Sequence, residues 1–435
     1  MNLLLKSSSI QRPSSIKITG SKSETNRLLL LQALYPNLVL DNTSNSDDSE
    51  VMLKALQNSQ LLTPNSQLID VHHAGTAMRF LTAYFSIQEE KEVVLTGSSR
   101  MKERPIKILV DALNQLGAEI SYEENEGFPP IRIKGKKLTQ NKVSLPANVS
   151  SQYISALLLI APKLENGLEL TLEGEITSVP YIKMTLALLN EIGVKTSFVG
   201  NKISVKPQFT LEPEANRAKL IHNSQFIIES DWSSASYWYS IVALSEIGIQ
   251  ISLSSYKENS LQGDSALVNI YQDFGVETTF NSDNSISISK VNFKNASPVR
   301  AKLSSQKSLI FNLQSSPDIA QTIAVTCFGL GMGCDLTGLH TLKIKETDRL
   351  EALKMELTKL GAEISVTNDS LYLKSSSAIK EKISISTYQD HRMAMAFAPL
   401  ALKVPIIIEN AEVVSKSYPS FWEDLKKAGF LIEEI

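Results

Sequence analysis

Cysteine is scarce in this chain. Its 435 residues include two, Cys327 and Cys334, both in an apolar, Gly-rich stretch. Two thiols make neither a disulfide framework nor a four-ligand zinc set, so they read as reduced core residues in a reducing cytosol. A surplus of charge is also missing. The 43 Lys and Arg against 46 Asp and Glu leave a net charge of −3, and nothing in that balance calls for a nucleic-acid or membrane-surface partner. Basic residues are not interleaved with aromatic ones as nucleic-acid binding requires. Apolar runs such as residues 28–31 fall far short of the ~20 residues a membrane span needs. The start, residues 1–6, is too short in its apolar part for a signal peptide. No metal-ligand cluster stands out.

What is present is ordinary for a globular protein: 43% hydrophobic and 20% charged residues,. At this length two domains are expected. One unit recurs, a helix ending in glycine, then a strand, a polar turn and a second strand. It reads Leu-Asn-Gln-Leu-Gly at 113–117, Leu-Asn-Glu-Ile-Gly at 189–193, Tyr-Gln-Asp-Phe-Gly at 271–275 and Leu-Thr-Lys-Leu-Gly at 357–361. Weaker relatives lie at 53–62 and at 425–435, where Gly429 takes the glycine's place. Glycine adopts the left-handed conformation that stops a helix, and Asn, Asp and Gly turns close hairpins. Six units give about 72 residues each, too long for a solenoid repeat and suited to a βαβαββ supersecondary unit.

Polar clusters, often basic, precede the helical apolar runs. Lys22, Ser23 and Arg27 lead into one, Gly75 and Arg79 into another, and Ser150, Ser151 and Gln152 into a third. Asp231 opens a fourth, and Asp390, His391 and Arg392 open a fifth. A Ser or Asp at such a place is by default an N-cap. A Lys or Arg there opposes the helix dipole unless an anion is bound, because helix starts carry unpaired N–H groups and partial positive charge. Repetition along the chain points to recognition of phosphate and carboxylate. Further cations crowd residues 100–105, with Arg100, Lys102 and Arg104. Lys345 and Arg349 stand four apart, on one face if a helix begins there. For each of these segments alone, a solvated salt-bridged face is the plainer reading. Asp318 alone reads as a helix cap, and Lys416 alone says nothing.

Together these segments resemble the 5-enolpyruvylshikimate-3-phosphate synthases of the enolpyruvyl transferase family. The matching runs are Gly-Ser-Lys-Ser with Asn-Arg (20–27), Ala-Gly-Thr-Ala-Met-Arg (74–79), Arg-Met-Lys-Glu-Arg-Pro (100–105), Ser-Ser-Gln (150–152), Ser-Val-Pro-Tyr (178–181) and Gln-Gly-Asp (262–264). The most specific are Lys-Glu-Thr-Asp-Arg (345–349) and Asp-His-Arg-Met-Ala-Met-Ala (390–396). The resemblance implies an α/β fold of two similar domains, each of three βαβαββ-type repeats with helices inside and sheets outside. One domain would span 20–228 and serve mainly shikimate 3-phosphate. The other would join 1–19 to 229–435 and serve mainly phosphoenolpyruvate and catalysis.

The implied reaction joins these two small molecules and releases phosphate, with no metal or organic cofactor, in the shikimate pathway. By resemblance Lys22, Ser23, Arg27, Ser150, Ser151, Ser178, Asp318, Thr341 and Lys345 hold shikimate 3-phosphate. Lys22, Gly75, Arg100, Gln152, Arg349, Arg392 and Lys416 hold phosphoenolpyruvate. Asp318 matches the base, Glu346 the acid, and Lys22 shares proton transfer. A cytoplasmic monomer sensitive to glyphosate is expected. The chain departs from the common pattern at His73 (usually Asn), Phe80 (usually Pro), Thr341 (often Asn) and Ser417 (usually Thr). Two other readings compete. A related transferase acting on UDP-N-acetylglucosamine carries a catalytic cysteine in a mobile loop, and residues 100–105 and their surroundings have none. A non-catalytic anion-binding protein has no use for carboxylates such as Asp318 and Glu346 beside anions.

Overall fold

The computed structural model describes residues 1–10, 14–59, 67–148, 150–174, 176, 179–207, 225–292 and 308–435. The chain divides into two compact units: Met1–Gly20 with Glu229–Ile435, and Ser21–Ile228. Each has its own hydrophobic core.

One local pattern builds both. In the Ser21–Ile228 unit the strand Gln67–Asp70 leads into the helix Gly75–Ser86 and then the strand Glu92–Thr96. These two strands are parallel, which requires a crossover, and the helix supplies it,. The helix Lys107–Gln115 follows, then the strands Glu119–Tyr122 and Ile131–Lys134 as an antiparallel hairpin. The last strand returns to lie against Glu92–Thr96, so the spatial order is first, second, fourth, third. Lys142–Pro146, Leu168–Glu173, Thr196–Val199 and Lys202–Val205 repeat this arrangement, as do Ser308–Asn312, Gly333–Thr337, Ile364–Val366 and Leu371–Leu373 in the other unit.

Three sheets take a strand from far along the chain. Leu3–Leu5 lies between Ile406–Ile408 and Ile432–Glu434, and Ser14–Ile16 runs parallel to Gln250–Leu253. Gln225–Ile227 runs parallel to Val39–Asp41.

Helices lie inside each unit and sheets outside. Every residue of Gly75–Ser86 is buried, and so is all of Trp232–Leu244 except Ser233. Helices with so little charge and so many apolar side chains belong in that position. Trp238 is fully buried there, and truncation to alanine would cost about 3–5 kcal/mol. The strand Lys142–Pro146 alternates exposed and buried residues, so one face of its sheet meets the helices and the other meets water,.

The recurring glycines stop their helices as the sequence suggests. Gly117, Gly193, Gly275, Gly361 and Gly429 all have positive φ, from 73° to 109°. The third copy differs before its glycine. Residues 263–274 form a chain of short turns, Gly263–Ala266, Leu267–Ile270 and Tyr271–Phe274, in place of one amphipathic helix. Its opening Gly263, Asp264 and Ser265 are poor at propagating a helix. In the weaker copy at 53–62 the helix runs Asp47–Ser59, and residues 60–62 lie outside the described residues.

Candidate active site

The polar clusters mark the starts of the inner helices, so each unit gathers charged side chains at the ends of elements its own core holds rigid. In the Ser21–Ile228 unit, Lys22 and Ser23 open the helix Lys22–Leu34. Lys22 Nζ lies 3.3 Å from Asp48 Oδ2. Arg27 is 2% exposed, and its hydrogen-bond partners are neutral oxygens: Thr185 Oγ1 at 2.8 Å, the Ser23 carbonyl at 2.7 Å and Ser155 Oγ at 2.9 Å. The rings of Phe80 and Tyr181 flank it. Burial pulls this guanidinium down to about 10.

Arg79 is in the same condition. Its Nη1 donates to the Gly75 carbonyl at 3.0 Å and its Nη2 to the Pro105 carbonyl at 3.3 Å. Burial, then the nearby Arg104, lowers it to about 10. Two buried guanidiniums bonded to neutral groups are a costly arrangement that an anion would relieve.

Gly75 is the first residue of its helix, which has no side-chain cap. Ser150 caps the helix Ser151–Ile160 through the Gln152 N–H at 3.4 Å. Gln152 Nε2 donates to Thr76 Oγ1 at 3.0 Å and so ties two helix starts together. Ser178 lies outside the described residues. Arg100 is not gathered with the others. Its side chain is 60% exposed and pairs with Glu103 at 2.8 Å.

In the other unit, Asp318 sits in the turn Pro317–Ile319 ahead of the helix Ala320–Gly329, whose N-cap position is Ile319. Its side chain, 11% exposed, meets three cations. Arg349 Nη1 is 2.9 Å and Lys345 Nζ 3.4 Å from Oδ1, and Arg392 Nη2 is 3.2 Å from Oδ2. Burial alone would raise this carboxyl, but Arg392, then Lys345 and Arg349, outweigh it and hold the group well below the usual carboxylate range,.

The helical pairing of Lys345 with Arg349 is corrected. The helix begins at Arg349, because the Asp348 side chain accepts from Leu350 N and Glu351 N, both at 3.1 Å, and Lys345 lies before that cap. The two cations converge on Asp318 through the turn instead. Arg349 also donates to Glu346 at 2.8 Å and to Asp390 at 2.6 Å. Arg392 is the second residue of the helix His391–Phe397, which Asp390 caps. Lys416 donates to the Gln389 carbonyl at 2.7 Å, bracing a turn in which Tyr388 and Gln389 both have positive φ. Thr341 Oγ1 is buried without a hydrogen-bond partner among the described residues.

The pattern of the EPSP synthase (3-phosphoshikimate 1-carboxyvinyltransferase) family matches residues 57–425. The chain belongs to the EPSP synthase family. The 3-phosphoshikimate 1-carboxyvinyltransferase of Bacteroides fragilis strain YCH46 is 46% identical over 433 residues, 98% of each chain. That of Haemophilus influenzae strain PittEE is 34% identical, over 95% of this chain and 96% of its own. The structure of EPSP synthase from Acinetobacter baumannii superposes with a TM-score of 0.76 at 20% identity, covering 100% of both chains. The enolpyruvyl transferase NikO from Streptomyces tendae superposes with 0.70 at 14%, covering 99% of this chain and 98% of its own. At those identities the structural likeness speaks for the fold alone. The α/β fold of two similar units with inner helices is the enolpyruvyl transferase fold.

Within this EPSP synthase family member, the sequence reading gave no site role to four charged groups. Asp48 holds Lys22, and Asp390 anchors Arg349. Arg104 lies beside Gly75. Asp264, 4% exposed, accepts from Ser233 Oγ, and burial, then the charge of Asp318, pushes it up to about 7. Asp264 and Asp390 belong to quoted motifs, which was a signal. Asp48 had none, because its partner lies 26 residues away in sequence. Among the described residues no group of three or more His, Cys, Asp or Glu is placed to hold a metal ion, and no helix is long and apolar enough to cross a membrane.

Proposed function

We propose that these residue sets carry out the reaction of the family: transfer of the enolpyruvyl group of phosphoenolpyruvate to the 5-hydroxyl of shikimate 3-phosphate, with release of phosphate. Each substrate carries a phosphate of about −1.5 to −2 charge and a carboxylate. Buried cations and helix starts are suited to both. Lys22, Ser23, Arg27, Ser150, Ser151, Ser178, Thr341 and Lys345 are assigned to shikimate 3-phosphate. Lys22, the Gly75 backbone, Arg100, Gln152, Arg349, Arg392 and Lys416 are assigned to phosphoenolpyruvate.

The observation that carries the mechanism is Asp318 among Arg349, Lys345 and Arg392. Its carboxyl is ionised at neutral pH and so able to accept a proton. It is a weak base while three cations face it. Substrate anions draw those cations away and strengthen it. Asp318 then takes the proton of the 5-hydroxyl as that oxygen attacks C2 of phosphoenolpyruvate. Glu346 gives a proton to the C3 methylene. In the second step the Glu346 carboxylate takes a proton back from the new methyl group, the double bond re-forms and phosphate leaves, and the proton held on Asp318 passes to solvent. Glu346 shares Arg349 with Asp318 and Asp390. A substrate carboxylate that takes the Arg349 donor leaves Glu346 beside negative charge, which favours its protonated form. Lys22 shares in proton transfer.

A cytoplasmic location belongs to this reading, supported by two buried, unbridged cysteines,. So does a monomer, which sedimentation would test. The direct assay is phosphate release from phosphoenolpyruvate that depends on shikimate 3-phosphate, with and without chelator. Asp318→Asn should cut turnover at least ~10²-fold while shikimate 3-phosphate still binds. Folded protein inactive with both substrates would overturn the assignment.

A further inference from the structure

His73 has no part in the reaction as assigned, yet it faces the machinery. It lies in the loop between the strand Gln67–Asp70 and the helix Gly75–Ser86. That loop is pinned: His72 N donates to Asp70 Oδ1 at 2.7 Å, and the His72 carbonyl accepts from Ser98 N at 2.9 Å. The two imidazoles meet edge-on with Nδ1 to Nδ1 at 2.7 Å, so one of these nitrogens carries the proton between them,. His73 Nε2 points at carboxylates, 3.6 Å from Asp48 Oδ1 and 4.0 Å from Asp47 Oδ2. The other oxygen of Asp48 is the one 3.3 Å from Lys22 Nζ.

We propose that His73 is a positioning residue for Lys22, acting through Asp48, and that its protonation sets how strongly this unit attracts an anion near Gly75. The inference rests on the assignment of Lys22 and Gly75 to phosphoenolpyruvate. With His73 neutral, the Asp48 charge is given to Lys22. A protonated His73 has a donor at each nitrogen, and Nε2–H turns to Asp48 Oδ1. The carboxylate is then shared by two cations, and the cluster gains one positive charge two residues ahead of the Gly75 helix start.

The groups facing His73 are of both signs. Asp47 and Asp48 come from the helix Asp47–Ser59, Lys22 from the helix Lys22–Leu34, and Asp70 from the preceding strand; His72 adjoins it. Arg79 and Arg104 flank Gly75. The carboxylates favour the imidazolium and the cations oppose it. Imidazole is the member of this line that titrates between about pH 5 and 8.

The test compares KM for phosphoenolpyruvate at saturating shikimate 3-phosphate across that range in wild type and His73→Asn. Ionisation of the substrate is common to both and cancels in the ratio. The wild-type KM should fall about three- to tenfold relative to the variant as pH drops, while the two kcat curves keep one shape. In parallel, NMR titration of the His73 ring should show its midpoint moving to lower pH in Asp48→Asn. A KM ratio flat with pH, or a midpoint indifferent to Asp48→Asn, overturns the proposal. If His73→Asn does not fold, His73→Gln replaces it. If no protein turns over, the assigned reaction fails, and the ring titration still decides the link from His73 to Asp48.

Discussion

Arg349 Nε donates to Asp390 Oδ2 at 2.6 Å, and the two side chains are 2% and 0% exposed. Arg349 Nη1 donates to Asp318, and Nη2 to Glu346 and, at 3.5 Å, to Asp390 Oδ1. Despite burial, the charges of Asp390, Glu346 and Asp318 hold this guanidinium above its ordinary range. Asp390 also accepts from Arg392 N at 2.9 Å. One buried carboxylate thus anchors one cation and orients the helix that carries another.

Removing it should unfold the protein more readily. Breaking a buried pair by deleting one partner costs about 3–5 kcal/mol, and a lost helix cap adds ~1 kcal/mol. Asp390→Ala should lower the urea midpoint accordingly. A midpoint equal to wild type would show that Arg349 finds a substitute in Asp318 and Glu346.

Arg27 should behave in the opposite way. It is buried and bonded to neutral oxygens, and Ser155 and Thr185 still bond to each other at 2.9 Å without it. Thr185 also reaches the Tyr181 carbonyl at 2.9 Å. Arg27→Met should therefore leave stability equal or higher, while KM for shikimate 3-phosphate rises at least ~10²-fold, the scale of about 3 kcal/mol. Urea unfolding and steady-state kinetics on one preparation decide this. A large loss of stability with normal KM would make Arg27 a structural residue.

Asp264 ties stability to pH. Its folded value of about 7 lies above the ordinary aspartate value, chiefly through burial. A group raised in this way contributes stability that is fully present below about pH 4 and is lost as pH rises through the folded value. The loss should be roughly 2–4 kcal/mol between about pH 4 and 7. Asp318 is depressed, so its contribution is lost on the acid side, below about pH 4, and the two windows separate. Unfolding free energies of wild type and Asp264→Asn across this range should diverge with rising pH, the variant staying flatter. Parallel curves would mean that Asp264 is ionised throughout.

At Gly75 an added Cβ would lie 2.6 Å from Arg104 Nη1 and 3.0 Å from Arg79 Nη1. Arg79 is tied to two carbonyls, so Arg104 must move. Gly75→Ala should then weaken glyphosate, which is longer than phosphoenolpyruvate, by roughly tenfold or more, with a smaller change in KM for the substrate. In an Arg104→Ala background the same substitution should have less effect, a coupling of about 1 kcal/mol. Inhibition constants for the four proteins of the cycle, each at several phosphoenolpyruvate concentrations, measure it. Strict additivity would show that the methyl group acts on the ligand directly.

Some of this was written in consecutive residues. The helix-stopping glycines at 117, 193, 275, 361 and 429 could be read because a helix end is a local event that one residue without a Cβ decides. The crowding of cations at helix starts could be read for the same reason, since it depends on the order of neighbours along the chain. The mostly apolar run that follows Asp231 likewise marked a helix, Trp232–Leu244, which the structure buries. What stayed hidden were the partners. Lys345 and Arg349 looked like one helical face, but the Asp348 cap starts the helix between them, and Asp318 joins them from about 30 residues away. Arg100, read as one of a crowd of cations, has Glu103 as its ion-pair partner at the surface. The strand Leu3–Leu5 finds its place between Ile406–Ile408 and Ile432–Glu434. Ion pairs and strand neighbours depend on where packed cores bring distant segments together, and apolar burial, which drives that packing, is non-directional and leaves no residue-by-residue record of the partner.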